Sequence, residues 1–471
     1  MPVTNGDIGR MDRDISDAAN ILRSAKSVMI ISHIDADGIS AGAIADMTVE
    51  RLGIEHSIHF EKKITDETVD MVNGAKEDVV WICDLGSGYI SRFERSGIII
   101  TDHHVPEPRK GKSPQTFLDD FISIHHLNPH VYGMDGSYET CGAGMTYLLS
   151  KAVDPRNIDL AYLAVIGAVG DFQDSNMSRL VSLNREIARD AEINGDLTIE
   201  QDLRLFGRET RPINQFLQFS NDPPIRGLSD NPTGCLEFLD RLGIEGKHRG
   251  KWRVWNDLSP EEKDRAVDSV LELVDFNLRD RIYGDMYTFP AMPEGTGLRD
   301  AKEFATVLNS CGRYDDAETG LRICRGDYTA LKTAEKNRAE HRRHISSALS
   351  YVKENHLVRE RRFIQYFDAG DEIMETVVGI VAGMLLNSPE CRPNLPIIAF
   401  VNAEDGVKVS ARANRTLVDK GLNLSEIMKT ASGIVGGFGG GHSVAAGATI
   451  PPEKKEEFLD IVEELVSAQV E

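Results

Sequence analysis

The chain has 471 residues, 41% of them hydrophobic and 27% charged, a length that suggests about two to four domains. Its formal net charge of −22 excludes a protein coated by nucleic acid, since nonspecific phosphate binding needs a basic surface; it leaves room for an enzyme that gathers acids around metal ions. No apolar run is long enough for a membrane span, the opening "MPVTNGDIGRMDRD" shows no secretory signal, and Cys83, Cys141, Cys235, Cys311, Cys324 and Cys391 form no CxxC pair, which together point to reduced thiols in a cytoplasm.

In chain order, the first ~180 residues alternate strand and helix patterns, the mark of a parallel α/β sheet. "SVMIISH" reads as a buried strand, and "GISAGAIADMTVERLG" as the helix after it. "HSIHF", "DVVWICD", "GIIITDHH" and "FISIHHLNP" read as further strands, and "GAGMTYLLSKAV" and "DLAYLAVIGAVGD" as buried helices. From about residue 185 to 300 loops such as "SNDPPIRGLSDNPTG" separate short charged helices. "DYTALKTAEKNRAEHRRHISSALSYVKEN" reads as a long polar helix joining two bodies. A second α/β unit follows: strand "RRFIQYFD", helix "METVVGIVAGMLLNS", strands "LPIIAFVN" and "GVKVSARA", the glycine-rich "GIVGGFGGGHSVAAGATI", and a closing helix.

In open parallel sheets, functional groups collect beyond the carboxyl ends of the strands. Here those ends carry His33, Asp35 and Asp37; Asp84; Asp102, His103 and His104; and His125, His126 and Asn128. A buried helix ends at Asp171. One strand-end aspartate more often caps a helix than binds a ligand. Acids or imidazoles at nearly every turn of one domain are harder to explain by capping, which also draws on Ser, Thr and Asn. Converging carboxylates repel one another and raise their own pKa values, and divalent cations relieve that repulsion. Carboxylate mixed with imidazole suits manganese or magnesium, and the set is large enough for two ions, the arrangement used on phosphate esters.

"SHIDADGIS", "DLGSG", "TDHH" and "GAVGD" resemble, in order and approximate spacing, the four motifs of the DHH phosphoesterase superfamily. "KVSARA" and "GGGHSVAAG" resemble its DHH-associated substrate-binding domain, and "EFATVLNSCGR" resembles a segment of archaeal RecJ-like exonucleases, the GINS-associated nuclease type. The resemblance implies an α/β protein: a parallel-sheet DHH domain over 1–185, an inserted, mainly helical region over 186–325, a connector helix over 326–357, and a smaller α/β DHH-associated domain over 358–471. It also implies site roles. His33, Asp35 and Asp84 hold one Mn²⁺ or Mg²⁺ ion; Asp37, Asp84, His103 and Asp171 hold a second. His104 sits against the scissile phosphate and Asp102 orients the histidine pair. Ser410 and Arg412, which alternate on one strand and so share a face, contact substrate with Gly440, Gly441 and His442. For His126 and Asn128 a substrate-facing and a structural role stand level.

The function implied is a metal-dependent exonuclease that releases 5′-mononucleotides from single-stranded DNA or RNA by water attack, from a cleft between the two α/β domains. The setting implied is replication or repair in the cytoplasm, with the GINS complex and its helicase as partners and no membrane. Two alternatives stand beside it: a phosphodiesterase of short oligonucleotides or cyclic dinucleotides, served by the same motifs, and a non-catalytic replication scaffold, a role that degenerate relatives of this fold can play. The basic groups "KNRAEHRRH" and "RERRF" either line a channel for a strand or pair with acids on a solvated face.

Overall fold

The computed structural model describes residues 7–107, 123–220, 222–386 and 388–470. It divides into two units, residues 1–337 and 338–471.

The first unit is built on five parallel strands, β1 (Ser27–His33), β2 (Glu55–Glu61), β3 (Val79–Cys83), β4 (Ile98–Thr101) and β5 (Ile124–Leu127), in the order β2-β1-β3-β4-β5. Helices α1 (Ile8–Ser24), α2 (Ala36–Arg51), α3 (Asp66–Gly74), α4 (Gly142–Val153), α5 (Ala161–Gly170) and α6 (Ser182–Asn194) accompany it. Alternation along the strands explains the apolar runs. Val28, Ile30, Trp81 and Ile99 enter the large core that includes α1, α2, α4 and α5, whereas Met29, Ile31, Val80, Ile82, Ile98 and Ile100 enter a smaller core with Val69 and Val72 of α3. Both faces of the central strands are therefore buried, as a parallel sheet requires.

Helix α1 lies in the stretch that reads as polar from sequence. Its buried residues Met11, Ile15, Ala18, Ala19 and Leu22 form one helical stripe, and Asp7 caps it by accepting the Arg10 N–H at 3.0 Å.

The middle of the chain divides between two cores. Strand β6 (Thr198–Leu203) is followed by α7 (Ile213–Gln218), α8 (Pro232–Arg241), the two-residue strands β7 (Lys247–His248) and β8 (Lys251–Trp252), α9 (Pro260–Leu273), α10 (Arg279–Ile282) and β9 (Tyr283–Thr288), which pairs antiparallel with β6. Residues from Leu203 to Ile282 enclose a core of their own around Phe216, Phe238 and Trp255. Helices α11 (Ala301–Arg313) and α12 (Ala317–Cys324) instead pack against α2, and Phe304, Leu308, Cys311 and Leu321 join the first core. The mainly helical region expected over 186–325 thus contains a self-contained module and two helices that belong to the sheet domain. Composition could not separate them, because both parts are amphipathic and charged outside.

Helix α13 (Leu331–Glu354) runs through the point of division. The second unit holds a six-stranded mixed sheet of β10 (Arg359–Glu360), β11 (Gln365–Asp368), β12 (Ile397–Ala403), β13 (Gly406–Arg412), β14 (Phe438–Gly441) and β15 (Ala445–Ile450), in the order β10-β11-β12-β13-β15-β14. Helices α14 (Glu375–Leu386), α15 (Arg415–Asp419), α16 (Leu424–Ile434) and α17 (Lys455–Val470) complete it. The glycine-rich tract is an antiparallel hairpin, with β14 at the sheet edge. No helix among the described residues is long and apolar enough to cross a membrane.

Candidate metal centre

Strand order reverses between β1 and β3, and this is the point where an open α/β sheet leaves a crevice at its carboxyl edge. His33 ends β1 and Asp84 follows β3, so both stand at that crevice. Asp35 caps α2 with one oxygen, which accepts the Gly38 N–H at 2.9 Å, and turns the other to His33 Nδ1 at 3.0 Å. The capping role and the site role coexist in one carboxylate. Asp84 is buried, in the left-handed region at φ +57°, with its oxygens 3.3 Å from His33 Nδ1 and 3.3 Å from His103 Nε2. Asp37, in the first turn of α2, accepts the N–H groups of Gly142 and Ala143 at 2.7 and 2.9 Å; these are the open donors at the start of α4. Asp171, at the end of α5, lies 3.1 Å from His103 Nε2, and Asp37 lies 3.7 Å from it.

The two histidines after β4 are set differently. His103 Nδ1 donates to the Gly136 carbonyl at 2.7 Å, which leaves Nε2 facing Asp84 and Asp171. His104 Nδ1 donates to Asp102 at 2.8 Å, and its side chain is 55% exposed. Asp102 is fully buried and uses both oxygens, accepting N–H groups from His103, His104 and Ser87 besides the His104 ring.

Protonation follows from this crowding. Burial opposes charge on His33 and His103, but Asp35 and Asp84 in the first case, Asp171 and Asp84 in the second, outweigh it and raise both well above the ordinary histidine value. His104 is raised too, against burial, by Asp102 and Asp84. Burial and then Asp84 and Asp171 push Asp37 up, while burial drives Asp171 up against His103. Burial would raise Asp84, but the His103 and His33 imidazoles 3.3 Å away overcome it and hold the carboxyl below the usual range. Asp102, despite burial, is held at about 2 by His104.

Three buried atoms at the centre of this cluster, His33 Nδ1, Asp84 Oδ1 and His103 Nε2, make no well-aligned hydrogen bond, although carboxylate oxygens stand 3.0–3.3 Å from the two ring nitrogens. Buried polar atoms are nearly always satisfied. Here the unsatisfied ones are all ligand atoms that face one another. They belong to three groups with metal-holding geometry: His33–Asp35–Asp84, Asp37–His103–Asp171 and Asp84–His103–His104, each with its ligand atoms within 4.8 Å of one another. The donor set, carboxylate oxygen with imidazole nitrogen and no thiolate, fits Mn²⁺ or Mg²⁺.

Two family models match the chain, a DHH-CID domain over residues 205–278 and a DHHA1 domain over 361–468. The two matches place DHH-type domains over these parts of the chain. An uncharacterized protein of Methanocaldococcus jannaschii is 27% identical over 457 residues, 96% of this chain and 95% of its own length. Exonuclease RecJ bound to manganese is similar in fold, with a TM-score of 0.56 at 17% identity over 99% of this chain and 95% of that one. Cdc45 from Entamoeba histolytica has a TM-score of 0.61 at 12% identity over 98% of this chain and 99% of its own. The DHH-CID match falls on the self-contained module of the middle region, and the DHHA1 match on the second unit.

The remaining sequence candidates of this DHH chain fall in two places. Asn128 donates to Ser87 Oγ at 2.8 Å and to the His104 carbonyl at 2.9 Å, and accepts the His130 N–H at 2.9 Å. Its amide thereby braces the His104 backbone. His126 Nε2 lies 2.8 Å from the same Ser87 hydroxyl. In the second unit Ser410 pairs across with Gly447, and Gly447 with Gly440, in one row over β13, β15 and β14. A Cβ on Gly379 of α14 would stand 2.5 Å from Arg412 Nη2 and 3.2 Å from Ser410 Oγ, so both side chains lie on the α14 face. Burial lowers the pKa of Arg412, and among the described residues no ion pair is made by it. Gly441 and the exposed His442 lie at the β14–β15 turn, closed by the His442 N–H to the Ala445 carbonyl at 2.8 Å. Of the basic groups, Arg361 pairs with Glu456 and Asp460 at 2.8 and 2.5 Å, the solvated-face alternative.

Sequence reading missed three supports. Ser87, inside the quoted "DLGSG", ties Asp102, His126 and Asn128 together. Gln173 donates to the Gly136 carbonyl at 2.9 Å, the same oxygen that orients His103, and accepts from Asn184 at 2.6 Å. Asn309, in "EFATVLNSCGR", accepts the Ala36 N–H at 2.9 Å, and a Cβ on Gly312 would stand 1.7 Å from the Ile34 carbonyl. That segment is thereby packed onto the first strand-end turn. Such residues act through backbone groups distant in sequence, which no local pattern records.

Proposed function

We propose that this DHH chain is a metal-dependent exonuclease, hydrolysing phosphodiester bonds of single-stranded DNA or RNA to 5′-mononucleotides. The observation that carries this reading is the convergence of three buried, unsatisfied ligand atoms at the switch point of the sheet. His33, Asp35 and Asp84 would hold one Mn²⁺ or Mg²⁺ ion, and Asp37, Asp84, His103 and Asp171 a second, with Asp84 common to both. Bound there, divalent ions supply a nucleophile at neutral pH and neutralise charge on the phosphoryl oxygens.

The protein's own groups do the rest. Asp102 fixes the His104 ring through Nδ1 and, with Asp84, raises its pKa against burial, which favours a ring that donates a hydrogen bond to the scissile phosphate. Asp102 is saturated with donors and acts only as an orienter. In the second unit, Arg412 is a largely buried cation beside Ser410, and a phosphate of the strand would complete its pairing. Gly440, Gly441 and His442 would border the same phosphate backbone, and His126 stays a weaker substrate contact through its Ser87 pairing.

Likeness in fold to Cdc45 keeps the scaffold reading as the alternative; the partner proposed, the GINS complex and its helicase in the cytoplasm, follows from the RecJ-like resemblance alone. The intact ligand cluster favours catalysis. A digest of 5′- and 3′-labelled DNA and RNA strands in Mn²⁺ or Mg²⁺, alongside a dinucleotide, decides among them. Stepwise release of mononucleotides from a strand of ~20 nucleotides, lost in Asp84→Ala, is expected. Faster cleavage of the dinucleotide would transfer the assignment to a small-nucleotide phosphodiesterase, and a wild type inactive on every substrate with both metals would leave the scaffold.

A further inference from the structure

Helix α5 ends two residues before Phe172, and the way it ends is unusual. The Phe172 N–H bonds the Val169 carbonyl at 3.1 Å and the Gln173 N–H bonds the Ala168 carbonyl at 2.9 Å. This pair of bonds defines a C-terminal cap whose left-handed residue is ordinarily glycine, because a side chain there crowds the backbone. In this chain the position holds phenylalanine at φ +57°. Burial of the ring could offset that strain, yet Phe172 is 75% exposed. Neither capping, which glycine would serve better, nor packing accounts for it.

The conformation is enforced from both sides. Asp171 before it belongs to the candidate metal centre. After it, Gln173 is buried among Gly136, Thr140 and Asn184, and Asp174 is buried against Arg204 at 2.9 Å. A strained residue persists where its surroundings over-determine it, and such residues gather at functional sites. The result is an exposed aromatic residue on a rigid turn, one position after Asp171 of an acidic centre that has no use for an apolar group of its own. Two other turns of that centre also end in exposed apolar residues. Val105 follows His104 at 77% exposure, and Tyr89 lies five residues beyond Asp84 at 37%.

We propose that Phe172 is a base-stacking residue, the platform for the nucleobase next to the phosphate held at the metal centre. This rests on reading that centre as a phosphodiesterase site. Every nucleobase has a π face, so such a contact adds affinity without sequence preference and makes the site selective for nucleotides over other phosphate esters. Fixing the backbone that carries the ring in advance lowers the ordering cost of binding.

The test uses the full chain in Mn²⁺ and two labelled, phosphorothioate-linked strands of about 12 nucleotides, within the site size of single-strand binders. One carries all its bases, and the other is abasic at the terminal positions of both ends. Wild type is expected to bind the first more tightly. Phe172→Ala and Phe172→Gly should lose roughly five- to a hundredfold in affinity for the base-bearing strand, with little change for the abasic one, and Phe172→Trp should retain the preference. Phe172→Gly should also melt at a higher temperature than wild type, since glycine relaxes the left-handed turn, and Mn²⁺ binding by calorimetry should be unaltered in both. If wild type discriminates between the strands and Phe172→Gly does so equally, the stacking inference falls while the phosphodiesterase reading stands. If the variants instead lose Mn²⁺ affinity and not the base preference, the ring shields the metal centre and the inference is wrong. If wild type binds neither strand, the phosphodiesterase reading falls and takes this inference with it.

Discussion

His103 and His104 are adjacent in sequence, yet their protons are committed to different partners. His103 gives its Nδ1 proton to a backbone carbonyl and turns Nε2 into the acidic cluster; His104 gives its Nδ1 proton to Asp102 and leaves the ring half in solvent. Removing each should therefore fail in a different way. His103→Ala should weaken Mn²⁺ binding by at least about tenfold in calorimetry. His104→Ala should bind Mn²⁺ as wild type does and lose roughly 10²–10⁴-fold in strand cleavage. Equal loss of metal by both variants would overturn the division of roles. The types and spacing of these residues were legible in the sequence because strand-end acids and imidazoles stand out from capping statistics. The assignment of Asn128 and the presence of Gln173 were not, because both act on backbone oxygens that only the fold brings near, His104 and Gly136.

At the scale of elements, the centre depends on how closely α2, α4 and α5 approach. Asp37 leans on the first turn of α4, and Gly167 of α5 lies beneath it; a Cβ on Gly167 would stand 2.3 Å from Asp37 Oδ1 and 2.8 Å from the Ala143 Cβ. Both neighbours are buried and have no free space to retreat into. Gly167→Ala should cost about 1–3 kcal/mol of stability and displace Asp37, lowering Mn²⁺ affinity, as read by denaturant unfolding and calorimetry. An alanine variant as stable and as metal-competent as wild type would show that the helices separate freely. The glycine-rich tract shows the opposite failure of local reading. Its sequence favours a flexible turn, and pairing with β15 makes it a strand.

For the whole molecule the cluster links stability to pH and to metal. His33, His103 and His104 have raised pKa values in the folded protein. A raised value gives stability that is fully present below the unfolded histidine value of about 6.5 and is lost as pH climbs through the folded value. Asp37 and Asp171, also raised, add with the same sign above the unfolded carboxylate range. Asp102, at about 2, acts in the other direction and only in acid, where its contribution is lost as pH falls. Metal-free protein in chelator should therefore melt lower at about pH 9 than at about pH 6. Added Mn²⁺ should stabilise it more as pH rises, because ligands must shed protons to bind. A melting temperature of the metal-free protein that rises over this range would contradict the linkage.

The sequence by itself determined the strands, most helices, and the residue types at the sheet edge, because periodicity and strand-end chemistry are local. It also carried the family resemblance, because four motifs keep their order along the chain. Only the tertiary structure decided how the middle region divides between two cores, since amphipathic helices look alike until they have a partner. Only it settled which atoms are left unsatisfied at the centre, and that Phe172 stands strained and exposed beside Asp171. Those facts depend on partners and backbone angles supplied by segments distant in sequence: Asp174 and Arg204, which fix the Phe172 turn, are 30 residues apart, and Asp37 reaches Gly142 across 105.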